Sequence, residues 1–300
     1  MSIATVGLLG LGNMGAALGE RLLDTGIEVL AYDLNAEAAA RLAGHGAVIA
    51  VSARQVADQA AVVIASLPSV AASHAVAAEV AGGSSVRHYV ETSTIGPDAA
   101  REIGGLMQRN GIGFIDAAVS GGAPVARKGE LAMMLAGDDA SLAAVRPLLS
   151  RLSASMFEIG TEPGQAQLMK LVNNIVAAAN MASAFEALIL GTRLGLNPAM
   201  VVDVLNAGSA RSMALVERRA NAILSGRFDS GPKIALLQKD VQLALDAASA
   251  AGFPLEAIPT LRGAAELWAD ADKAGMAGQD VSALIRIVED KAGVVARAAD

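Results

Sequence analysis

Short apolar stretches alternate with alanine-rich amphipathic stretches through the first half of the chain. This alternation predicts strands separated by crossover helices, the pattern of a parallel sheet. The predicted strands lie at residues 5–10, 28–33, 47–51, 62–67, 88–92, 113–117, 131–136 and 156–159. After Gly160 the strand pattern stops, and the rest of the chain shows helical periodicity alone.

The change of pattern at Pro163 and Gly164 predicts a boundary between two domains. We expect an α/β domain with a doubly wound sheet over residues 1–163, followed by an all-helical domain over residues 164–300. A long apolar helix over residues 164–191 should join them. Asp280 and Ser282 are expected to cap a last helix over residues 281–296.

Composition narrows the class of protein. The 300 residues are 53% hydrophobic and 18% charged, which suits substantial close-packed cores. A formal net charge of -7 without a basic block argues against a nucleic-acid groove or an anionic membrane surface. The most apolar long stretch, residues 175–191, is shorter than the ~20 residues of a spanning helix, so we expect a buried helix.

The chain has no cysteine, which excludes disulfides, a thiolate nucleophile and a cysteine-based metal site. Residues 1–5 lack a basic region ahead of a long apolar segment, so no cleavable signal is apparent. We expect a cytoplasmic protein without a metal, a nucleic-acid partner or a membrane partner. The apolar helical half predicts a homodimer or homotetramer.

The first predicted strand runs directly into a glycine motif that opens a helical segment, Gly10-Leu11-Gly12-Asn13-Met14-Gly15. Gly10 permits the tight turn, Gly12 lets a pyrophosphate approach the backbone, and Gly15 lets the helix pack closely. The helix N-terminus supplies N–H groups to phosphates. In this strand, helix, strand context the motif predicts a Rossmann-type dinucleotide site, although a bare glycine motif could serve packing alone.

Asp33 ends the second predicted strand. Its carboxylate can accept hydrogen bonds from a ribose 2′-hydroxyl and repels a 2′-phosphate, and no arginine follows it directly, so we expect NAD rather than NADP. Leu67 and Pro68, and the loop 92–97 that contains Thr94, also follow strands and could line the cofactor. Ordinary turn chemistry is the alternative for both loops.

Three polar side chains interrupt the long apolar helix at helical spacings: Lys170, Asn173 and Asn174. These spacings place them on one narrow face. Buried without partners, each would cost about 1–3 kcal/mol or more, so this face should meet polar chemistry. A lysine that reaches solvent past its own alkyl stem, beside two surface amides, is the alternative that the helix alone leaves open.

A further strand end, at residues 116–122, runs through Ser120 into the pair Gly121-Gly122. The exposed backbone N–H groups and the hydroxyl suit a carboxylate ligand. This signal is weak by itself, because Gly-Gly turns are common.

Taken together, these ordered motifs resemble the β-hydroxyacid dehydrogenase family, whose members include 3-hydroxyisobutyrate dehydrogenase and tartronate semialdehyde reductase and, more distantly, 6-phosphogluconate dehydrogenase. The motifs are residues 10–15, 92–97, 116–122 and 164–174, and Lys239-Asp240 with residues 243–246. The resemblance implies an oxidoreductase that transfers a hydride between a nicotinamide cofactor and a small β-hydroxy acid or semialdehyde carboxylate.

The resemblance also implies roles in the first domain and on the long helix. Lys170 would be the general acid/base, since partial burial lowers the lysine pKa from ~10.4 towards the working range. Thr94 would touch both the cofactor and the substrate. The substrate carboxylate would be held by Ser120, Gly121 and Gly122.

Four residues would assist from the helical domain. Asn174 would support the substrate and the lysine, and Asn173 would have a supporting role. Lys239 would close over the nicotinamide side of the cofactor, while Asp240 would anchor the helix that carries it.

Three positions depart from the family pattern. Ala118 stands where proline is common, and Ala166 stands where glycine is common. Pro232 stands where a phenylalanine usually flanks the active site, which should reshape the substrate pocket. This departure bears on the identity of the substrate more than on the type of reaction.

Two rival functions remain open from the sequence. An imine reductase on the same scaffold would reduce C=N bonds with NADPH, but Lys170 and Asp33 both count against it. A dinucleotide sensor without turnover is the second rival. A 6-phosphogluconate dehydrogenase would need a basic phosphate pocket and a larger helical domain, which the sequence lacks.

Overall fold

In the computed structural model, which describes residues 5–298, the predicted strands form and belong to one sheet. They are β1 (Thr5–Leu9), β2 (Glu28–Tyr32), β3 (Val48–Ile49), β4 (Val62–Ala65), β5 (His88–Glu91), β6 (Gly113–Ser120), β7 (Leu131–Ala136) and β8 (Ser153–Gly160). Their order across the sheet is β3-β2-β1-β4-β5-β6-β7-β8. Neighbouring strands pair in parallel except β6 with β7.

Helices connect these strands and cover both faces of the sheet. They are α1 (Asn13–Asp24), α2 (Ala36–Gly44), α3 (Ala53–Gln59), α4 (Val70–Ala81), α5 (Pro97–Arg109), α6 (Ala123–Lys128) and α7 (Asp139–Leu149). Leu8 and Ile64 belong to one core cluster, whereas their strand neighbours Leu9 and Val63 belong to another. Successive side chains of one strand point to opposite faces, so these central strands are buried on both sides.

The chain divides into two compact units, one ending at Lys170 and the other beginning at Leu171. The division falls inside a continuous helix, α8 (Gln165–Arg193). The helices that follow are α9 (Pro198–Ala207), α10 (Glu217–Leu224), α11 (Ile234–Ala250), α12 (Pro259–Lys273) and α13 (Ile285–Ala292). The core of the second unit includes the large buried side chains Phe185 and Trp268.

The last helix differs from the sequence-based expectation of a helix over residues 281–296. A 3-10 turn, Val281–Leu284, comes first, and α13 ends at Ala292 because Gly293 adopts the left-handed conformation, with φ 62°. Asp280 caps the 3-10 turn by accepting from the Ser282 backbone N–H at 2.9 Å. Ser282 therefore lies within the turn and is not itself a cap.

Helix α8 is long and apolar enough to cross a membrane by length and composition, but 50% of its most apolar window is buried inside the protein. Ala178, Phe185 and Leu188 on this helix belong to the core of the second unit. This burial is typical of a core helix in a folded domain.

Candidate active site

One row of paired residues crosses the five central strands near their carboxyl ends: Tyr32, Leu9, Ala65, Glu91 and Asp116. The glycine turn, Asp33, Leu67 and Thr94 follow this row within a few residues, and Ser120 ends β6 farther along. Ligands of open α/β sheets bind at the carboxyl edge. The fold therefore brings the candidate cofactor residues of the first unit to the carboxyl edge of the sheet.

The glycine turn has the geometry of a phosphate cradle. Gly10 has φ 86°, and a Cβ on Gly15 would lie 1.9 Å from the Gly10 carbonyl oxygen, so the turn and the helix need glycine at both positions. A Cβ on Gly12 would meet no protein atom within 4 Å. Gly12 is also the N-cap of α1 and has no side-chain capping bond. Open space beside an uncapped helix N-terminus fits a pyrophosphate.

The other residues of the turn differ in exposure. Leu11 is buried beneath the turn, Met14 is half-buried and Asn13 is exposed. Pro68 is exposed in the loop after β4, and the neighbouring Leu67 backbone N–H donates to Ser93 Oγ at 2.7 Å. The loops that follow β4 and β5 are thus joined by a hydrogen bond.

Asp33 is fixed by two backbone N–H groups. Its Oδ2 accepts from Leu11 at 2.5 Å, and its Oδ1 accepts from Asn35 at 2.6 Å. Each carboxylate oxygen has a second lone pair, so the group can still accept from ribose hydroxyls. The carboxylate therefore stands beside the glycine turn in a fixed orientation.

The loop after β6 is open. Gly121 has φ 136° and Gly122 has φ 79°, conformations that favour glycine, and both residues are exposed. Gly122 is the N-cap of α6 without a side-chain capping bond. Ser120 is half-buried at the end of the strand.

Lys170 is only 9% exposed, which rules out the alternative of a lysine extended into solvent. It is the last residue of the first unit. Burying an ammonium is costly unless it meets polar groups, so we expect polar partners for this lysine on an otherwise apolar helix.

Four polar side chains of the second unit form one network. Asn173 Nδ2 donates to Asn174 Oδ1 at 3.0 Å, and Asn174 Nδ2 donates to Asp240 Oδ2 at 2.6 Å. Lys239 Nζ donates to Asp240 Oδ1 at 2.7 Å. Asp240 is buried on α11, so it ties α8 and α11 together. The sequence selected all four residues but did not predict these bonds.

Two buried carboxylates, Glu91 on β5 and Asp116 on β6, lie side by side, and no motif in the sequence predicted a role for either. Burial raises the pKa of Glu91 to about 7 and that of Asp116 to about 6. Asp116 Oδ1 accepts from Gln167 Nε2 at 2.8 Å. Gln167 lies three residues before Lys170, on the same helix face as the lysine and the two asparagines. The helical spacing could therefore have identified this glutamine as well.

The three departures from the family pattern occupy two settings. Ala118 and Ala166 are both buried in one small core cluster, where small side chains pack well. Pro232 is exposed, and its carbonyl oxygen accepts from the Val281 backbone N–H at 2.8 Å. Asp280 accepts from Ser230 Oγ at 2.6 Å, so the segment that leads into α11 is held in place.

No group of three or more His, Asp or Glu side chains within residues 5–298 could hold a metal ion. Of the polar groups described above, the uncapped turn at Gly12 and the carboxylate of Asp33 fit a dinucleotide.

Two family models match the chain. Residues 5–160 match the NAD binding domain of 6-phosphogluconate dehydrogenase. Residues 164–288 match the model described as NAD-binding of NADP-dependent 3-hydroxyisobutyrate dehydrogenase. The two matches meet close to the change of pattern that the sequence shows at Pro163.

Relatives match over nearly the whole chain. A 2-(hydroxymethyl)glutarate dehydrogenase of Eubacterium barkeri is 30% identical, over 96% of this chain and 96% of its own length. A 3-hydroxyisobutyrate dehydrogenase of Pseudomonas aeruginosa is 33% identical, over 94% of this chain and 98% of its own. The solved structure of a Mycobacterium tuberculosis 3-hydroxyisobutyrate dehydrogenase with L-serine has a TM-score of 0.82 and 31% identity, and it covers 96% of this chain and 99% of its own.

An imine reductase from Pseudomonas sp. shares the fold at a TM-score of 0.65, with 19% identity over 96% of this chain and 100% of its own. At this identity the similarity concerns the fold alone. The hydroxyacid dehydrogenases are the nearer relatives.

Proposed function

We propose, from the premise that this chain belongs to the β-hydroxyacid dehydrogenase family, that it oxidises a small β-hydroxy acid with NAD and that Lys170 transfers the proton. Membership of this family identifies the chain as an NAD(P)-binding oxidoreductase. The observation that carries the role of Lys170 is its burial on α8, at 9% exposure, in the unit that also holds the glycine turn.

The chemistry needs one hydride acceptor and one base. When bound, nicotinamide accepts the hydride from the carbon that bears the hydroxyl group. In the oxidative direction Lys170 as a neutral amine takes the hydroxyl proton, which leaves a carbonyl compound and a lysine ammonium. In the reductive direction the same ammonium returns its proton to the forming alkoxide oxygen.

The preference for NAD rests on Asp33. Two backbone N–H groups hold its carboxylate beside the glycine turn, and a fixed negative charge there would repel a 2′-phosphate. Leu34, which follows it, is exposed and uncharged, so this position offers no cation for a phosphate. We therefore assign NAD as the preferred cofactor of this chain.

The substrate class follows from the open loop at Ser120, Gly121 and Gly122. Its exposed backbone and hydroxyl group supply donors that suit a carboxylate. We further propose, from the family resemblance, that Thr94 and Asn174 orient the substrate. The relatives named above act on hydroxy acids with one or two carboxylates. We propose 3-hydroxyisobutyrate and related small 3-hydroxy acids as the first candidates.

The oligomeric state and the cellular location of this protein remain predictions. Leu190, Leu194, Met200 and Val204 are exposed apolar side chains of the second unit, and a homodimer or homotetramer would give such residues a partner. A cytoplasmic location is our expectation from the sequence.

The test is a panel of small hydroxy acids assayed with NAD and NADP at matched concentrations, following the absorbance of the reduced nicotinamide. The panel includes 3-hydroxyisobutyrate, L-serine and 2-(hydroxymethyl)glutarate. Lys170→Ala should lower kcat by at least ~100-fold with its best substrate while NADH still binds. Lys273→Ala, an exposed lysine on α12, is the matched control.

Two results would contradict the proposal. Near-normal turnover in Lys170→Ala would remove the lysine from the reaction. Binding of NADH without turnover of any hydroxy acid or semialdehyde would favour a dinucleotide sensor.

A further inference from the structure

Gln167 lies in the first turn of α8 and is fully buried, at 0% exposure. Its Nε2 donates to Asp116 Oδ1 at 2.8 Å and to the Ser93 carbonyl oxygen at 3.1 Å. Its Oε1 accepts from the backbone N–H groups of Ile95 at 2.9 Å and Gly96 at 3.2 Å. The amide therefore makes two donor and two acceptor bonds inside the protein, the full number of its donors and lone pairs.

These hydrogen bonds hold the loop after β5 on both sides of Thr94. Ser93, which precedes Thr94, accepts from the amide, and Ile95 and Gly96, which follow it, donate to the amide. A loop held by hydrogen bonds on both sides of one residue loses most of its backbone freedom there. One side chain on α8 thus fixes the backbone that presents Thr94.

Asp116 anchors the beginning of the helix to the sheet. Its Oδ2 accepts from the backbone N–H groups of Gly164 at 3.0 Å and Gln167 at 3.1 Å. Gly164 has φ 94°, and a Cβ there would lie 2.8 Å from the Pro97 carbonyl oxygen. Glycine at this position lets the helix start lie directly against the loop.

We propose that Gln167 is a positioning residue for hydride transfer: its amide, anchored on Asp116, sets the spacing between the Thr94 loop and the helical turn that carries Lys170. This inference rests on the proposed function, because it requires Lys170 to be the proton-transfer group. A misplacement of ~1 Å at a reacting group can cost ~100-fold in rate, so a fixed spacing has kinetic value. The residue acts through Lys170 and Thr94 and has no assigned contact with the substrate.

Gln167→Glu is the decisive variant. It keeps the acceptors for Ile95 and Gly96 but replaces the donors with a second carboxylate against Asp116. Above pH ~7 the two carboxylates repel each other, so kcat should fall by about 10- to 100-fold while the Kd for NADH changes by less than about 3-fold. At lower pH a proton shared by the pair restores one donor, so kcat relative to wild type should recover.

A titratable group on the neighbouring strand faces this pair in the sheet. Glu91 lies beside Asp116 on β5, and the pKa of Glu91 is raised to about 7 by burial. The pH profile is therefore also recorded in the Glu91→Gln background, where recovery of Gln167→Glu at low pH should persist. Loss of the recovery in that background would assign it to Glu91 and overturn the pairing of Gln167 with Asp116.

Gln165→Glu is the matched control, because it makes the same change two residues earlier in α8. Gln165 is half-buried, and its Oε1 accepts from the Glu162 backbone N–H at 2.9 Å. Glutamate keeps an oxygen for this bond, and Gln165 makes no bond to Asp116 or the Thr94 loop among those given above, so kcat should stay within about 2-fold of wild type. An equal loss of kcat in Gln165→Glu and Gln167→Glu would overturn the positioning role.

Asp116→Asn provides a second test should Gln167→Glu fail to fold. It removes a buried charge, keeps the side-chain shape, and preserves one oxygen for the two backbone donors. We expect a stably folded protein with kcat lowered by about 3- to 10-fold, since one charge-assisted bond to Gln167 is lost. Wild-type kcat in this variant would overturn the anchoring role of Asp116.

The outcomes separate this inference from the function on which it rests. An inactive Lys170→Ala together with wild-type kcat and a wild-type pH profile in Gln167→Glu would overturn the positioning role and leave the proposed function intact. Activity retained in Lys170→Ala would overturn both.

Discussion

Asn174 donates a 2.6 Å hydrogen bond to the buried carboxylate of Asp240, which lies 66 residues later in the chain. The same carboxylate pairs with Lys239 at 2.7 Å, and Asn173 donates to the Asn174 side-chain oxygen at 3.0 Å. Asp240 therefore joins Asn174 on α8 to Lys239 on α11, and Asn173 is linked to it through Asn174. A buried carboxylate needs such partners, because they replace the water that it loses on folding.

Asp240→Ala should destabilise the helical unit. The change leaves the Asn174 amide without its acceptor at a buried position, which costs about 1–3 kcal/mol in the free energy of unfolding. Urea unfolding of the intact chain measures this loss. Asp246→Ala, an exposed carboxylate on the same helix, should change the free energy of unfolding by less than about 0.5 kcal/mol. Equal effects of the two changes would remove the special role of Asp240.

Gly12→Ala and Gly15→Ala should separate cofactor binding from stability. A Cβ on Gly12 meets no protein atom within 4 Å, so this variant should keep the wild-type melting temperature but bind NADH about 10-fold or more weakly. A Cβ on Gly15 would lie 1.9 Å from the Gly10 carbonyl oxygen, so that variant should lower the melting temperature itself. Unchanged NADH binding in Gly12→Ala would show that phosphates do not occupy this space.

Asp33→Asn should weaken the preference for NAD. The asparagine keeps the shape of the side chain but removes the charge that repels a 2′-phosphate, so the ratio of kcat/KM for NAD over NADP should fall by about 10-fold. Asp24→Asn changes an exposed aspartate at the end of α1 and should leave the ratio unchanged. A wild-type enzyme that turns over faster with NADP than with NAD would contradict our assignment of Asp33.

Glu91→Gln should remove part of the dependence of stability on pH. Burial raises the pKa of Glu91 from 4.5 to about 7, so between these values the folded state keeps a proton that the unfolded state has released. The free energy of unfolding therefore falls as the pH rises from about 4.5 to about 7, by about 3 kcal/mol for this group, and levels off above that range.

The matched measurement is urea unfolding of wild type and Glu91→Gln across pH 5 to 8, a range chosen to span the raised pKa of about 7. Wild type should lose stability relative to the variant as the pH rises. Glu162→Gln removes an exposed carboxylate of the same unit and serves as the control for loss of one negative charge. Parallel curves for wild type and Glu91→Gln would show that this carboxylate is not buried in solution as the structure has it.

Local sequence rules were sufficient for the elements and the cofactor turn. The strands lie where β-type runs alternate with helices, because a strand buried on both faces needs a continuous apolar run and a short connection. Gly10, Gly12 and Gly15 could be assigned because their spacing follows from the geometry of one turn. The prediction of one helix over residues 281–296 was wrong at both ends. A 3-10 turn precedes the α-helix, which begins at Ile285, and the left-handed conformation of Gly293 ends it after Ala292.

The sequence by itself identified the candidates for cofactor binding and catalysis: the glycine turn, Asp33, and Lys170 with its helical neighbours at spacings of three and four. Only the tertiary structure decided which of them meet. Gln167 and Asp116, and likewise Asn174 and Asp240, lie far apart in the chain and are joined by side-chain hydrogen bonds. Such bonds depend on distances of about 3 Å between elements, which periodicity along a single element does not encode.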